Sequence, residues 1–221
     1  MSQTITFFTK KSAELIVGGA IRDNKKMPCK TWNLSAWDCK TGSKLAKVAG
    51  SICSECYAKA GFYNTYRESH AEGYKKRLDS IDNPNWVNAM IKLIGNDPYF
   101  RWMASGDIQS LDHLKKIVQI AELMPQTKFW LPTHEVNIVK DYVKSGLVPV
   151  NLIIRISAVY IDKPCSLPKS LEGHANILIS NVHKVEKPMG FNCNAPSQGG
   201  ACLDCRACWD TSVKAISYHA H

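Results

Sequence analysis

The chain has 221 residues, 45% hydrophobic and 21% charged, with a formal net charge of +9 from 28 Lys+Arg against 19 Asp+Glu. That composition fits one large globular domain, or a domain with a small appendage, and excludes a disordered chain. No apolar run reaches the roughly 18–20 residues that a membrane-spanning helix needs, so no membrane partner is expected.

In chain order, residues 13–18 (AELIVG) and 30–36 (KTWNLSA) read as short strands. Residues 40–52 form a polar loop with room for a short helix. Residues 57–79 read as a helix, with Tyr57, Ala60, Tyr66, Tyr74 and Leu78 as its packed face, ended by Asp82-Asn83-Pro84. A second helix covers 86–94 and a strand covers 99–104. Ser110 is the expected N-cap of a helix over 112–124, whose apolar positions are Leu114, Ile117, Val118, Ala121 and Leu123. A strand over 128–131, a helix over 137–144 stopped by Gly146, and strands over 152–159 and 176–180 follow. From Pro188 onward the chain is cysteine-rich and reads as irregular.

Alternating strands and helices imply an α/β fold with mostly parallel strands. About six strands would make a partial (β/α) barrel or a small complete sheet. The expected division is an α/β core over 1–187 and a cysteine-rich tail over 188–221 packed on it. In both architectures function gathers at the C-terminal edge of the strands. That edge would carry Ser35 to Cys39, Ser105-Gly106-Asp107, Thr133-His134-Glu135, Ser157 to Tyr160 and Ser180-Asn181.

Seven of the nine cysteines fall into two groups with metal-ligand spacing: Cys39, Cys53 and Cys56, then Cys193, Cys202, Cys205 and Cys208. Two thiolates with two residues between them can grip one metal, or one cluster edge, from a single turn. The run of Cys202, Cys205 and Cys208 is ferredoxin-like, and a distant cysteine commonly completes such a set. The preferred reading is one or two 4Fe–4S clusters, with zinc as the alternative at the C-terminal four. A disulfide framework fits poorly: the number is odd, the chain is long, and the N-terminal MSQTITFFTKKSAEL does not read as a secretion signal. The expected location is cytoplasmic. Cys29 and Cys165 lack such spacing and read as ordinary free thiols. Three cysteines without a fourth would leave one iron open, which makes the first group a chemical site as well as a structural one.

Single residues carry open alternatives. Arg101 and Arg155 sit inside strand patterns, where a charge needs a partner. They would point into a barrel, to bind a carboxylate or stabilise a charged cluster, or else face solvent at a sheet edge. Ser157 could bond a ligand carboxylate. His134 and Glu135 read as acid/base groups or as a surface loop pair. Trp32, Trp37, Trp102, Trp130 and Trp209 read as core or cluster shielding, and His219 to His221 as a frayed end. The basic pairs, among them Lys10-Lys11, Lys25-Lys26 and Lys115-Lys116, are scattered. They suit a solvated surface, or nucleic acid as a partner, although no nucleic-acid-binding motif is present.

Two resemblances enter here. The cysteine loop after an early strand is similar to that of radical S-adenosylmethionine enzymes, which hold a three-thiolate 4Fe–4S cluster whose open iron binds S-adenosylmethionine. Ser105-Gly106-Asp107 resembles the turn that binds the amino group of that ligand. The likeness also implies ligand-binding roles for Arg155 and Ser157, and a reductant protein or small-molecule substrate as partner. The loop departs from the usual pattern: thirteen residues separate Cys39 from Cys53, and the aromatic Tyr57 follows the third cysteine. The chain also resembles a phage protein family named for gene product 88 of mycobacteriophages, through WNLSA (32–36), CSECYA (53–58), RWMASGDIQS (101–110), KFWLPTHE (128–135) and GACLDCRACW (200–209). Together these imply an iron–sulfur protein akin to a minimal radical enzyme, acting in host cytoplasm. The alternative is a non-enzymatic iron–sulfur or zinc-stabilised protein for electron transfer, nucleic-acid or protein binding.

Overall fold

A computed structural model describes residues 8–23 and 26–220; Lys25 and His221 lie outside them. The strands are β1 (Arg22–Asp23), β2 (Lys30–Trp32), β3 (Tyr99–Trp102), β4 (Lys128–Thr133), β5 (Leu152–Ser157), β6 (Ile177–His183), β7 (Phe191–Asn192) and β8 (Ala215–His219). They form one sheet in the order β1-β2-β3-β4-β5-β6-β8-β7. Only β1 runs antiparallel to its neighbour; β2 to β8 are mutually parallel. The sheet is open, as an α/β fold with a partial barrel requires. Among the described residues no helix is long and apolar enough to cross a membrane.

The helices are α1 (Lys10–Ile16), α2 (Lys40–Leu45), α3 (Gly61–Thr65), α4 (Arg67–Ser80), α5 (Trp86–Ile94), α6 (Leu111–Leu123) and α7 (Val136–Val143). Helices α1, α5, α6 and α7 cover one face of the sheet. Trp86, Met90, Leu114, Ile117 and Val139 pack there against Phe100, Trp102, Phe129, Leu131, Ile154 and Ile156. Ser110 caps α6 as its sequence predicts, accepting from the His113 amide at 3.1 Å. Of the apolar set predicted for this helix, Leu114, Ile117, Val118 and Ala121 are buried, whereas Leu123 is exposed.

The alternate residues of the same strands form the second face. Parallel register places Thr31, Arg101 and Trp130 in one row and Pro132, Arg155 and Leu178 in the next. Trp130 of β4 and Tyr218 of β8 stack at 6.5 Å between ring centroids, although β5 and β6 lie between them. Three strand spacings in a flat sheet would span about 14 Å, so this face is concave. The cysteine-rich segment fills it: Cys29, Trp130 and Trp209 form a small core with Cys208, Tyr99 and Tyr218 packed against it.

Several predicted elements differ. Residues 13–18 are not a strand; they belong largely to α1, whose N-terminus is capped by the Thr9 hydroxyl accepting from the Ser12 amide at 3.1 Å. The strand at 30–36 stops at Trp32, and a 3-10 turn over Ala36–Asp38, capped by the Ser35 hydroxyl, takes over its end. The single helix over 57–79 is three pieces: a 3-10 turn over Tyr57–Lys59, then α3 and α4, with Gly61 in the left-handed region at φ 52° where the path bends. Its predicted packed face is mostly exposed at Tyr57, Ala60 and Tyr66. The tail is not wholly irregular, since β8 sits inside the sheet beside β6. His219 ends that strand rather than fraying, 5.4 Å from the ring of His183.

Candidate metal centres on the concave face

The first cysteine group lies at the C-terminal edge of the sheet, and loops that follow five successive strands hold it there. After β2, the Leu34 amide donates to the Ser105 carbonyl at 3.2 Å. The Ser105 hydroxyl returns a bond to the Leu34 carbonyl at 2.8 Å. Gly106 sits against Leu34 so closely that a Cβ would lie 2.6 Å from the Leu34 Cβ, and its φ of +77° suits glycine. After β3, the Ala104 carbonyl accepts from the Tyr57 hydroxyl, next to Cys56. After β4, Glu135 is buried and its two oxygens accept from the Thr41 amide at 2.7 Å and the Thr41 hydroxyl at 2.8 Å. Glu135 therefore supplies the N-terminal cap that α2 lacks from Cys39 itself. After β5, Ile52 donates to the Val159 carbonyl at 2.9 Å. After β6, Lys184 pairs with Glu55 at 2.7 Å.

This stitching brings together thiols with thirteen residues between them in sequence. A Cβ at Gly42 would lie 3.5 Å from the Cys53 Sγ and 3.7 Å from the Cys39 Sγ, and 3.0 Å from the Cys39 Cβ. Both sulfurs therefore pack against the bare face of Gly42 in α2. Burial pushes the Cys39 thiol well up and the Cys53 thiol up to about 11, and Asp107 and the neighbouring thiols add to the rise. A cation that displaces both protons removes that cost.

Asp107 stands beside these thiols, but its oxygens are engaged within the protein. One accepts from the Ile108 amide at 2.8 Å and the Thr133 hydroxyl at 2.6 Å, the other from the His134 amide at 2.8 Å. Burial raises its carboxyl to about 7 against these three bonds. The residue ties the turn after β3 to the turn after β4. Burial also lowers His134, to about 4, so its imidazole is neutral at pH 7.

The second group occupies the hollow of the concave face. Cys193, Cys202, Cys205 and Cys208 line one recess with Trp209 and Ile216. Backbone bonds set its walls: Cys193 donates to the Ser217 carbonyl at 2.9 Å and Cys202 to the Lys26 carbonyl at 2.8 Å. The Trp209 indole donates to the Phe100 carbonyl at 3.1 Å. Burial pushes Cys208 up to about 12, opposed by the Tyr218 hydroxyl 3.4 Å from its sulfur and by Arg101 and Arg155. Cys29 is buried against this group and is raised to about 12 by burial, with Arg101, Cys202 and Cys208 as charged neighbours. Cys165 lies apart, against the helix-side core.

Arg155 is fully buried in β5 and donates to five backbone carbonyls: Cys208 at 3.3 Å, Ile179 at 3.3 Å, Ala207 at 3.0 Å, Asp210 at 3.2 Å and Val213 at 3.0 Å. It clamps the tail to the sheet. Ser157 lies two residues on, level with Ser180. Among the described residues no group of three or more His, Cys, Asp or Glu side chains is placed to hold a single metal ion.

Sequence reasoning missed Gly42 and did not assign Glu135 to α2. Neither has a local signal, because both act on partners that only the fold brings near. No curated protein and no solved structure matches the chain. The family model described as gene product 88 matches residues 6–211, most of the sequence and the whole of both cysteine groups, and the chain belongs to that family.

Proposed function

We propose that the chain is an iron–sulfur protein, with one 4Fe–4S cluster held by Cys39, Cys53 and Cys56 and a second by Cys193, Cys202, Cys205 and Cys208. The observation that carries the reading is the convergence of the Cys39 and Cys53 sulfurs on one face of Gly42. A structural zinc would need its four thiolates about 2.3 Å from one centre, whereas a cubane spreads its ligands around a larger cage.

Such clusters supply one-electron transfer. With three thiolates, the first would keep an iron open to a ligand such as S-adenosylmethionine. The chain's own contribution would be to hold the thiolates through Glu135, Tyr57 and the Leu34–Gly106 contact, and to keep solvent from them. A reductant protein or small-molecule substrate would then be the partner. The second reading, a non-enzymatic electron-transfer or binding protein, is favoured by Asp107 and Arg155, whose polar atoms are committed to internal bonds.

Anaerobic purification with iron, zinc and sulfide analysis tests this, using wild type and the separate variants Cys39→Ser and Cys205→Ser. Two clusters predict about eight irons with matching sulfide, and about four retained in each variant. Loss of all iron from both variants means one shared cluster; zinc without sulfide ends the iron–sulfur reading. An electron paramagnetic resonance signal that changes on adding S-adenosylmethionine supports the radical enzyme, and one that does not supports electron transfer.

A further inference from the structure

The two cysteine groups sit in opposite electrostatic surroundings. Beside Cys39 and Cys53 stands a carboxyl group, Asp107, with Lys59 opposing it. Around the tail group stand three guanidinium groups: Arg101 faces Cys29, Cys202 and Cys208, Arg155 faces Cys208, and Arg206 faces Cys202. Arg155 spends its donors on carbonyls, and Arg206 bonds the carbonyls of Leu203 and Cys205 while lying over the Tyr99 ring.

Arg101 is different. Its guanidinium lies 4.4 Å from the centre of the Trp130 ring, and one terminal nitrogen is 3.1 Å from the Met27 sulfur. Its Nε is buried with no partner. Among the described residues no carboxylate forms an ion pair with it. A largely desolvated cation without an anion is costly. The groups around it that can become negative include Tyr57, Tyr218, Cys208, Cys29 and Cys202, and of these the cysteines are the thiols that a metal would deprotonate.

We propose that Arg101 is the counter-charge of the tail's metal centre and makes that centre the easier of the two to reduce. The inference rests on the two-cluster reading above. A fixed positive charge in a low-dielectric hollow favours the reduced, more negative cluster, and net charge is one of the levers that set such potentials. Among the described residues the charged side chains beside Cys39 and Cys53 are Asp107 and Lys59, with no guanidinium, so the first centre is reduced at a more negative potential. Each reduction takes one electron from the titrant and makes or breaks no bond.

A dithionite titration of the full-length, anaerobically purified protein, followed by electron paramagnetic resonance, tests this. Two reduction waves are expected in wild type. Cys205→Ser should remove the wave at the less negative potential and Cys39→Ser the other. Arg101→Gln should move only the tail wave to more negative potential, and Arg101→Lys should keep it near its wild-type place. The inference is overturned if Cys205→Ser removes the more negative wave, or if Arg101→Gln leaves the tail wave unmoved. The wave assignment needs no Arg101 variant, so it decides the ordering even if Arg101→Gln fails to fold. Iron and sulfide analysis of wild type separates the cases: no cluster iron ends the reading beneath, whereas clusters with the wrong ordering end this inference alone.

Discussion

Arg155 and Cys208 are joined through the backbone: the Arg155 Nε donates to the Cys208 carbonyl at 3.3 Å, from a strand that lies 53 residues earlier in the sequence. The same side chain reaches the carbonyls of Ala207, Asp210 and Val213. It thus fixes the end of the cysteine run and the approach to β8 together. A lysine has no planar fork and cannot serve these carbonyls at once. Arg155→Lys should cost about 3 kcal/mol or more in denaturant unfolding, since several buried acceptors lose their donors. Metal bound by the tail cysteines should fall in step. Unchanged stability would show that the tail is held by its metal or its strand pairing rather than by Arg155.

Glu135→Ala tests the cap on α2. The variant strips both acceptors from Thr41, leaving the helix that follows Cys39 without its N-terminal partner. A loss of about 1–2 kcal/mol is expected. The more telling readout is metal content per chain: the share lost should be that of Cys39, Cys53 and Cys56, with the tail's share kept. Equal loss from both groups would mean that Glu135 supports the whole rim.

The parallel strands were legible because strands such as LIIRIS are buried on both faces and read as short, mostly apolar runs. So was α6, through its Ser110 cap and periodic apolar face. Helix α1 was misread because a short apolar run does not distinguish strand from helix; Thr9 was the missed start signal. The segment 57–80 was misread because its aromatic residues share no stripe, and it stays exposed. Strand β8 alternates Ile216 and Tyr218 with Ala215 and Ser217, but five residues are too short a pattern to stand out from the irregular cysteine run before it. The cysteine groups were visible from spacing alone. Their supports were not, because Glu135, Arg101 and Arg155 act across distances in sequence that no local pattern records.

Gly42→Ala separates folding from metal binding. The added methyl would lie 3.0 Å from the Cys39 Cβ, closer than side chains normally pack, and against the Cys39 and Cys53 sulfurs. Alanine also favours the helix, by up to about 1 kcal/mol over glycine. The crowding at Cys39 opposes that gain, so the metal-free protein should stay within about 1 kcal/mol of wild type, while metal in the first group falls as the sulfurs are pushed aside. Thermal melts and metal analysis on the same sample check both halves. Full metal occupancy in the variant would remove Gly42 from the site.

His113 gives a pH dependence whose sign follows from its surroundings. The ring is fully buried between Trp32 and Trp86, both in edge-on contact, and burial lowers it to about 3 from an ordinary 6.5. The Gln109 amide donates to its Nδ1 at 3.3 Å, so the neutral ring keeps its proton on Nε2. Below pH 6.5 the unfolded chain takes up a proton there that the folded chain refuses. Stability is therefore full above about pH 6.5 and falls as pH drops towards 3, with a limiting slope of about 1.4 kcal/mol per pH unit. His134, lowered by burial to about 4, adds a contribution of the same sign. In His113→Phe the aromatic packing is largely kept and the titrating group is gone, so denaturant unfolding across pH 4 to 7 should lose the His113 part of the slope. An unchanged slope in that variant would assign the acid sensitivity to His134 and the carboxylates instead.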